Sequence, residues 1–430
     1  MSQFELSLDL TRLAADKKIH PQQRMEPIST EEKLLSDSVL NIDGKTRSNL
    51  FPWRGQFSPQ LCEALLRSYA TSGQHILDPF AGSGTVLVEA ARLSMRATGT
   101  EINPAAALMA KTYDLCALKE PERLRLVEAV NVVVGNAISH GDSPLFEQKL
   151  TKEQKIEEAL VRATNAAATE AGILLSALVV LLDLYQSPAT ASRVSQAWEK
   201  LRKLFLSLPY ADLPVQVMMC DARKIPLAEH SIDLVLTSPP YINVFNYHQQ
   251  FRRSVEALGW NVLRVASSEI GANRKFRGNR FLTVAQYHLD MAEALAEMGR
   301  TCKPEARIIL VVGRESNVQK TSFQNSKILS RIAVEQLGLQ LVLQQERVFT
   351  NRFGQSIYED LLHFRPSSQM KKLDMTSLLT QAKQELEGAR NRVHKDTRED
   401  LEEAITNVFT VSPSPIAKPT SAKKALLQSE

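Results

Sequence analysis

The sequence predicts an α/β protein with an open, doubly wound sheet, and three observations carry that expectation. The first is a short apolar run, His75-Ile76-Leu77-Asp78, that passes through the small-residue loop Pro79-Phe80-Ala81-Gly82-Ser83-Gly84-Thr85 into Val86 to Leu93, which has helical periodicity. The second is the next strand-like run, Ala97-Thr98-Gly99-Thr100, which ends at the acid Glu101. The third is Ile232-Asp233-Leu234-Val235-Leu236, short enough to be one buried strand, which runs directly into Thr237-Ser238-Pro239-Pro240-Tyr241.

The first loop suits a nucleotide-like ligand. Gly82 and Gly84 let the backbone approach closely, and the helix behind them presents free amides. Glu101 stands where a doubly wound sheet usually places an acid on two ribose hydroxyls. The loop is neither the full Gly-x-Gly-x-x-Gly fingerprint nor a Gly-Lys-Ser/Thr phosphate loop, so it argues against pyrophosphate. Asp78 at the strand mouth repels phosphate and pairs with a cation, such as the sulfonium end of S-adenosylmethionine.

The second loop suits a flat amine. Two prolines carry no amide hydrogen and fix φ, so the chain leaves its strand as a rigid bend with carbonyls free to accept from a ligand. With Ser238 before the prolines and Tyr241 after them, the bend can accept from an exocyclic NH2 while the aromatic face stacks on the ring. Alone, Ser-Pro-Pro-Tyr is usually a solvent-facing turn; its pairing with the glycine loop is what points to chemistry.

Together, Asp-Pro-Phe-x-Gly-Ser-Gly-Thr and Thr-Ser-Pro-Pro-Tyr strongly resemble the DNA amino-methyltransferases, which methylate cytosine N4 or adenine N6 with S-adenosylmethionine. The resemblance covers residues 49–114 and 215–364. It implies a Rossmann-like class I methyltransferase with a mixed seven-stranded sheet, a helical insertion and a helical C-terminal extension. By the same resemblance, Phe51, Pro52 and Trp53 border the cofactor, with Asp78, Phe80, Gly82, Gly84, Thr85 and Glu101. Asp221, after the strand-like Val215 to Cys220, accepts from the cofactor's adenine amine, and Ser238, Pro239, Pro240 and Tyr241 are catalytic. Val348 to Phe364 is similar to the family's terminal hairpin. Two departures stand out: many relatives place Ser-Pro-Pro-Tyr before the cofactor loop, and a long insertion separates Glu101 from Asp221.

The expected organisation is an arm at 1–47, a catalytic domain at 48–114 and 213–366, a helical insertion at 115–212, a C-terminal helix at 367–410 and a disordered tail at 411–430. The insertion is almost free of glycine and rich in Ala, Leu, Glu, Lys and Arg, with breaks at Gly135, at Gly141 to Pro144 and at Ser187-Pro188. Its apolar stretch, Ile173 to Leu184, is too short to span a bilayer and reads as a buried helix. A chain of 430 residues is too long for one core, and a net charge of +4 is no global polyanion signature. Cys62, Cys116, Cys220 and Cys302 have no metal spacing and none follows a proline, so the Pro-Cys nucleophile of carbon-5 methylation is missing. With no export signal at the N-terminus, a reduced cytoplasmic chain without metal or membrane is expected.

DNA is the expected partner, with RNA as an alternative, and oligomeric state is not legible. Contact is expected through Asn243 to Phe251, where Phe245, Tyr247 and Phe251 interleave with amides and His248, through Arg252 and Arg253, and through the basic loop with Arg274, Lys275, Arg277 and Arg280. Ser rather than Asp before Pro-Pro-Tyr resembles the cytosine-directed members, which favours N4 of cytosine. Adenine N6 is the runner-up and an RNA base third. A protein that senses S-adenosylmethionine without catalysis is the non-enzymatic alternative.

Overall fold

His75–Asp78 becomes a central strand because it must be apolar on both faces: Ile76 and Leu77 point in opposite directions and each enters a different hydrophobic core. The computed structural model describes residues 28–29, 34–42, 44, 46–141, 150–243, 246–272, 276, 278–351, 354–367 and 370–416. Among these, the strands are β1 (Ile28–Ser29), β2 (His75–Asp78), β3 (Arg96–Thr100), β4 (Val215–Met218), β5 (Ile232–Thr237), β6 (Cys302–Gly313), β7 (Glu315–Val318), β8 (Thr321–Gln324), β9 (Gln340–Thr350) and β10 (Ser356–Arg365). The main sheet runs β1-β9-β10-β6-β5-β2-β3-β4, while β7 and β8 pair apart from it.

Strands β4, β3, β2, β5 and β6 are parallel, and β10 runs antiparallel to both β6 and β9. These seven form the mixed sheet of the Rossmann-like class I methyltransferases. The short β1 adds an eighth, edge strand on β9, so two residues of the expected N-terminal arm belong to the sheet. From β2 the chain passes through the helix Thr85–Arg92 to β3 on one side, and β5 lies on the other. The carboxyl ends of β2 and β5 therefore flank a topological switch point, the crevice where open α/β sheets bind ligands. Both sequence motifs leave the sheet there.

Between β3 and β4 lie the helices Pro104–Ala110, Glu120–His140, Lys152–Ala166, Thr169–Leu181 and Ala191–Leu206. Arg123 clasps this unit at its neck, donating to the carbonyls of Cys116 (3.1 Å) and Leu118 (2.8 Å) at one end and of Leu208 (2.5 Å) and Pro209 (2.9 Å) at the other. Gly135 does not interrupt the chain as expected. It sits inside Glu120–His140 on an exposed face, where its propensity cost is outweighed by packing of Val127, Val130 and Val134. Of the break expected at Gly141 to Pro144, all but Gly141 lies outside the described residues.

The C-terminal region also differs from expectation. Instead of one solvated helix, Met375–Glu387 and Arg398–Asn407 bury Leu378, Ala382, Leu386, Leu401 and Ala404 completely. The first of the two packs against the helix Leu282–Thr301. Val411 and Ser414, placed by the sequence in a disordered tail, are buried as well, and only residues 417–430 of that tail lie outside the described ones. No helix among the described residues is long and apolar enough to cross a membrane.

Candidate active site

The glycine loop turns sharply because Gly84, the N-cap of Thr85–Arg92, adopts φ +84°. A Cβ there would also stand 2.6 Å from the Tyr113 ring, so the position needs glycine twice over. The turn aims the Gly82 amide at Glu101, whose Oε2 accepts it at 2.8 Å while Oε1 accepts from the Asn103 amide at 2.7 Å. Each oxygen keeps further acceptor capacity. Burial pushes the Glu101 carboxyl up to about 7, against those two hydrogen bonds.

Asp78 links the two motifs. Its Oδ1 accepts from Thr237 Oγ1 at 2.6 Å and from the Phe80 amide at 3.1 Å, so the residue before Ser238 is tied to the mouth of β2. The side chain is buried, and burial pushes it up to about 7 as well, the two hydrogen bonds opposing. Around this link lies an open-mouthed cleft. Trp53, Asp78, Phe80, Gly82, Thr85 and Glu101 line it, with Asp221, Ser238 and Pro240.

Five of the expected residues stand differently. Phe51 is 2% exposed and packs edge-on against Tyr113, 5.8 Å between centroids, so it supports the loop from the core. Pro52 is exposed and Gly84 lies behind the loop. Neither they nor Pro239 line the cleft. Tyr241 is also outside it: its ring lies against Gly313 at the end of β6, where a Cβ would fall 2.9 Å away, and its hydroxyl stands 3.3 Å from Ser238 Oγ. The Pro240 carbonyl is taken by Tyr287 Oη at 3.0 Å.

Asp221 faces the cleft with both oxygens already engaged. Arg223 grips it through Nε (2.9 Å) and a terminal nitrogen (2.6 Å), and also reaches Asp290 at 2.9 Å. The carbonyls of Ser414 (2.7 Å) and Pro415 (3.0 Å) complete the coordination of that guanidinium. The sequence pattern held no sign of Arg223, because its partners come from distant parts of the chain.

The expected nucleic-acid surface is rearranged too. Tyr247 and Phe251 stack on Trp53, at 6.0 Å and 14° and at 6.4 Å and 19° respectively; Trp53 and Tyr247 line the cleft, and Phe251 is buried. Arg252 pairs with Glu256 at 2.7 Å, and Arg253 with Glu157 of the insertion at 3.1 Å. Arg280 is exposed, while Arg274, Lys275, Arg277 and Phe245 lie outside the described residues. Sequence reasoning placed neither Ser268 nor Glu269 in the site; both line the cleft. Periodicity could not find them, since they sit in irregular backbone after the helix Val262–Ala266.

Strand order gives the chain the Rossmann-like class I methyltransferase fold, and the glycine loop and Pro-Pro bend leave the sheet at its switch point. A family model described as DNA methylase matches residues 12–112. The type II methyltransferase M.MjaII of Methanocaldococcus jannaschii is 33% identical over 117 residues, 24% of this chain and 22% of that protein. Over that segment the chain is similar to these DNA methylases. The match spans about a fifth of the relative's length, and the family model ends well before Ser238. Among solved structures, a SAM-dependent methyltransferase from Methanosarcina mazei aligns at 12% identity and a TM-score of 0.30, over 72% of this chain and 98% of that one. Geranyl diphosphate C-methyltransferase from Streptomyces coelicolor aligns at 8% and 0.32, over 72% and 76%. The fold assignment rests on the strand order and not on these likenesses.

Proposed function

We propose that the chain transfers a methyl group from S-adenosylmethionine to the exocyclic N4 amine of a cytosine turned out of duplex DNA. The observation that carries this reading is that the glycine loop and the Ser-Pro-Pro bend, about 160 residues apart, line one cleft and are joined by the Thr237–Asp78 hydrogen bond. The residues fit the cofactor: Asp78 supplies a buried carboxylate, the half-buried Glu101 supplies another with acceptor capacity for ribose hydroxyls, and Trp53 and Phe80 supply apolar walls. When bound, S-adenosylmethionine supplies an electrophilic methyl on a sulfonium.

An aromatic amine is a poor nucleophile because its lone pair is delocalised into the ring. Ser238 Oγ and the Pro239 carbonyl accept from its two N–H groups and favour a more tetrahedral nitrogen, with the lone pair directed at the methyl. Orientation and electrostatics then supply most of the rate. The Thr237–Asp78 bond fixes Ser238 relative to the cofactor loop, so one rigid joint sets the attack line. Tyr241, whose ring lies against Gly313, offers the stacking surface for the turned-out base beside Ser238.

The test is mass analysis of nucleosides in DNA from cells that express the chain, beside cells that express a Ser238→Ala variant. N4-methylcytosine that depends on Ser238 supports the reading. N6-methyladenine would keep the site and change the base, and modification confined to RNA would move the substrate. Cofactor binding with no modified nucleoside would favour a sensor.

A further inference from the structure

The cleft contains two polar atoms that the chemistry above does not use. Ser268 is 1% exposed and Glu269 5%, yet Ser268 Oγ and Glu269 Oε1 have no hydrogen-bond partner among the described residues. Both residues line the same cleft as Glu101. Buried polar atoms are nearly always satisfied, so two adjacent orphans on residues that line one cavity point to acceptors that a ligand's donors would satisfy.

Their backbone is held in place. The Ser268 amide donates to the Val265 carbonyl at 2.9 Å, closing the turn after Val262–Ala266. The other Glu269 oxygen, Oε2, lies 2.8 Å from Nδ1 of the fully buried His248. His248 is thus a positioning residue that orients the Glu269 carboxyl, while Oε1 keeps no partner among the described residues.

The donor is indicated by position. Glu101 already gives one acceptor site of each oxygen to a backbone amide, and burial is the main cause of its raised carboxyl, with the charges of Asp78 and Glu269 adding to it. Glu269 and Ser268 line the same cleft as Glu101. Three acceptors on one cleft match the vicinal hydroxyls of a ribose, each of which donates one proton.

We propose that Ser268 and Glu269 form the second half of a ribose-diol site, closing over the hydroxyls that Glu101 meets from below. The assignment rests on the reading of the cleft as a nucleoside-cofactor site. It makes the segment after the catalytic bend part of the cofactor site as well as a wall toward the substrate, so that cofactor occupancy and the conformation of this segment are coupled.

Calorimetry on the full chain tests it with three probes: S-adenosylmethionine, S-adenosylhomocysteine and 5′-methylthioadenosine, the last of which keeps ribose and adenine but lacks the amino-acid end. Ser268→Ala and Glu269→Gln should each weaken all three by the same factor, on the order of 5–20-fold. Losses confined to the two amino-acid-bearing probes would move the pair to the other end of the cofactor and overturn the proposal. Unchanged affinities in variants with the wild-type melting curve would overturn it too. If Glu269→Gln melts early, Ser268→Ala decides, because it removes a single hydroxyl and no packing carbon. A wild-type chain that binds none of the probes would instead refute the methyltransferase reading beneath.

Discussion

Cofactor affinity should rise steeply between pH 5 and pH 7, and Asp78 should be the main cause. Burial pushes its carboxyl up to about 7, because only Thr237 and the Phe80 amide compensate for lost water. In the free protein the group is then protonated through most of that interval, and a cationic ligand binds the ionised form. With a carboxyl at about 7, the ionised fraction grows from about 1% at pH 5 to about 50% at pH 7, so affinity should climb about 50-fold, or about 2.3 kcal/mol. The same raised value has the opposite consequence for folding. Asp78 favours the folded, ligand-free chain fully below about pH 4, its unfolded range, and that contribution is lost as pH rises through about 7. Titration calorimetry at several pH values, in buffers of different ionisation enthalpy, should show proton release on binding near pH 6. Asp78→Asn should bind more weakly at pH 7 and lose most of the slope, the remainder belonging to Glu101. A variant that keeps the full wild-type slope, or a wild-type affinity that is flat from pH 5 to 7, would refute the reasoning.

Glu101→Ala should cost cofactor affinity on the order of 1.5–3 kcal/mol by calorimetry, since it removes a charged acceptor and frees the Gly82 and Asn103 amides it holds. Ser238→Ala should lower turnover while cofactor affinity holds, because its acceptor acts on the amine as the methyl moves; equal turnover in single-turnover assays would remove Ser238 from the chemistry. Gly313→Ala should displace the Tyr241 ring, whose edge a Cβ would meet at 2.9 Å, and weaken capture of a turned-out base by about 1–3 kcal/mol without changing cofactor binding. Arg223→Met should destabilise the fold by about 3–5 kcal/mol in urea titrations, as it strands the buried carboxylates of Asp221 and Asp290.

The local signals in the sequence were chemical and short in range, and those were legible. A four-residue apolar run before a glycine turn, an acid after the next strand and two prolines after a third each constrain only a few neighbouring φ and ψ angles. The strands β2, β3 and β5 and the sharp turn at Gly84 follow from such constraints, whereas the meeting of Asp78, Glu101 and Ser238 on one cleft needed the strand order of the sheet. What depended on side chains meeting across long separations was not legible. Arg223 is held by Asp221 nearby but also by Asp290, Ser414 and Pro415, so a tail read as disordered is drawn into the core by a guanidinium about 190 residues earlier. Tyr247 and Phe251 read as free aromatics for bases until Trp53 arrived to stack on them. Arg252 and Arg253 read as phosphate contacts until Glu256 and Glu157 neutralised them. By itself, the sequence determined the sheet type and the two reactive loops, because backbone stereochemistry acts locally. Only the tertiary structure decided which charges were already paired, which aromatics were already stacked and which buried acceptors were left open, because burial and pairing depend on the whole fold.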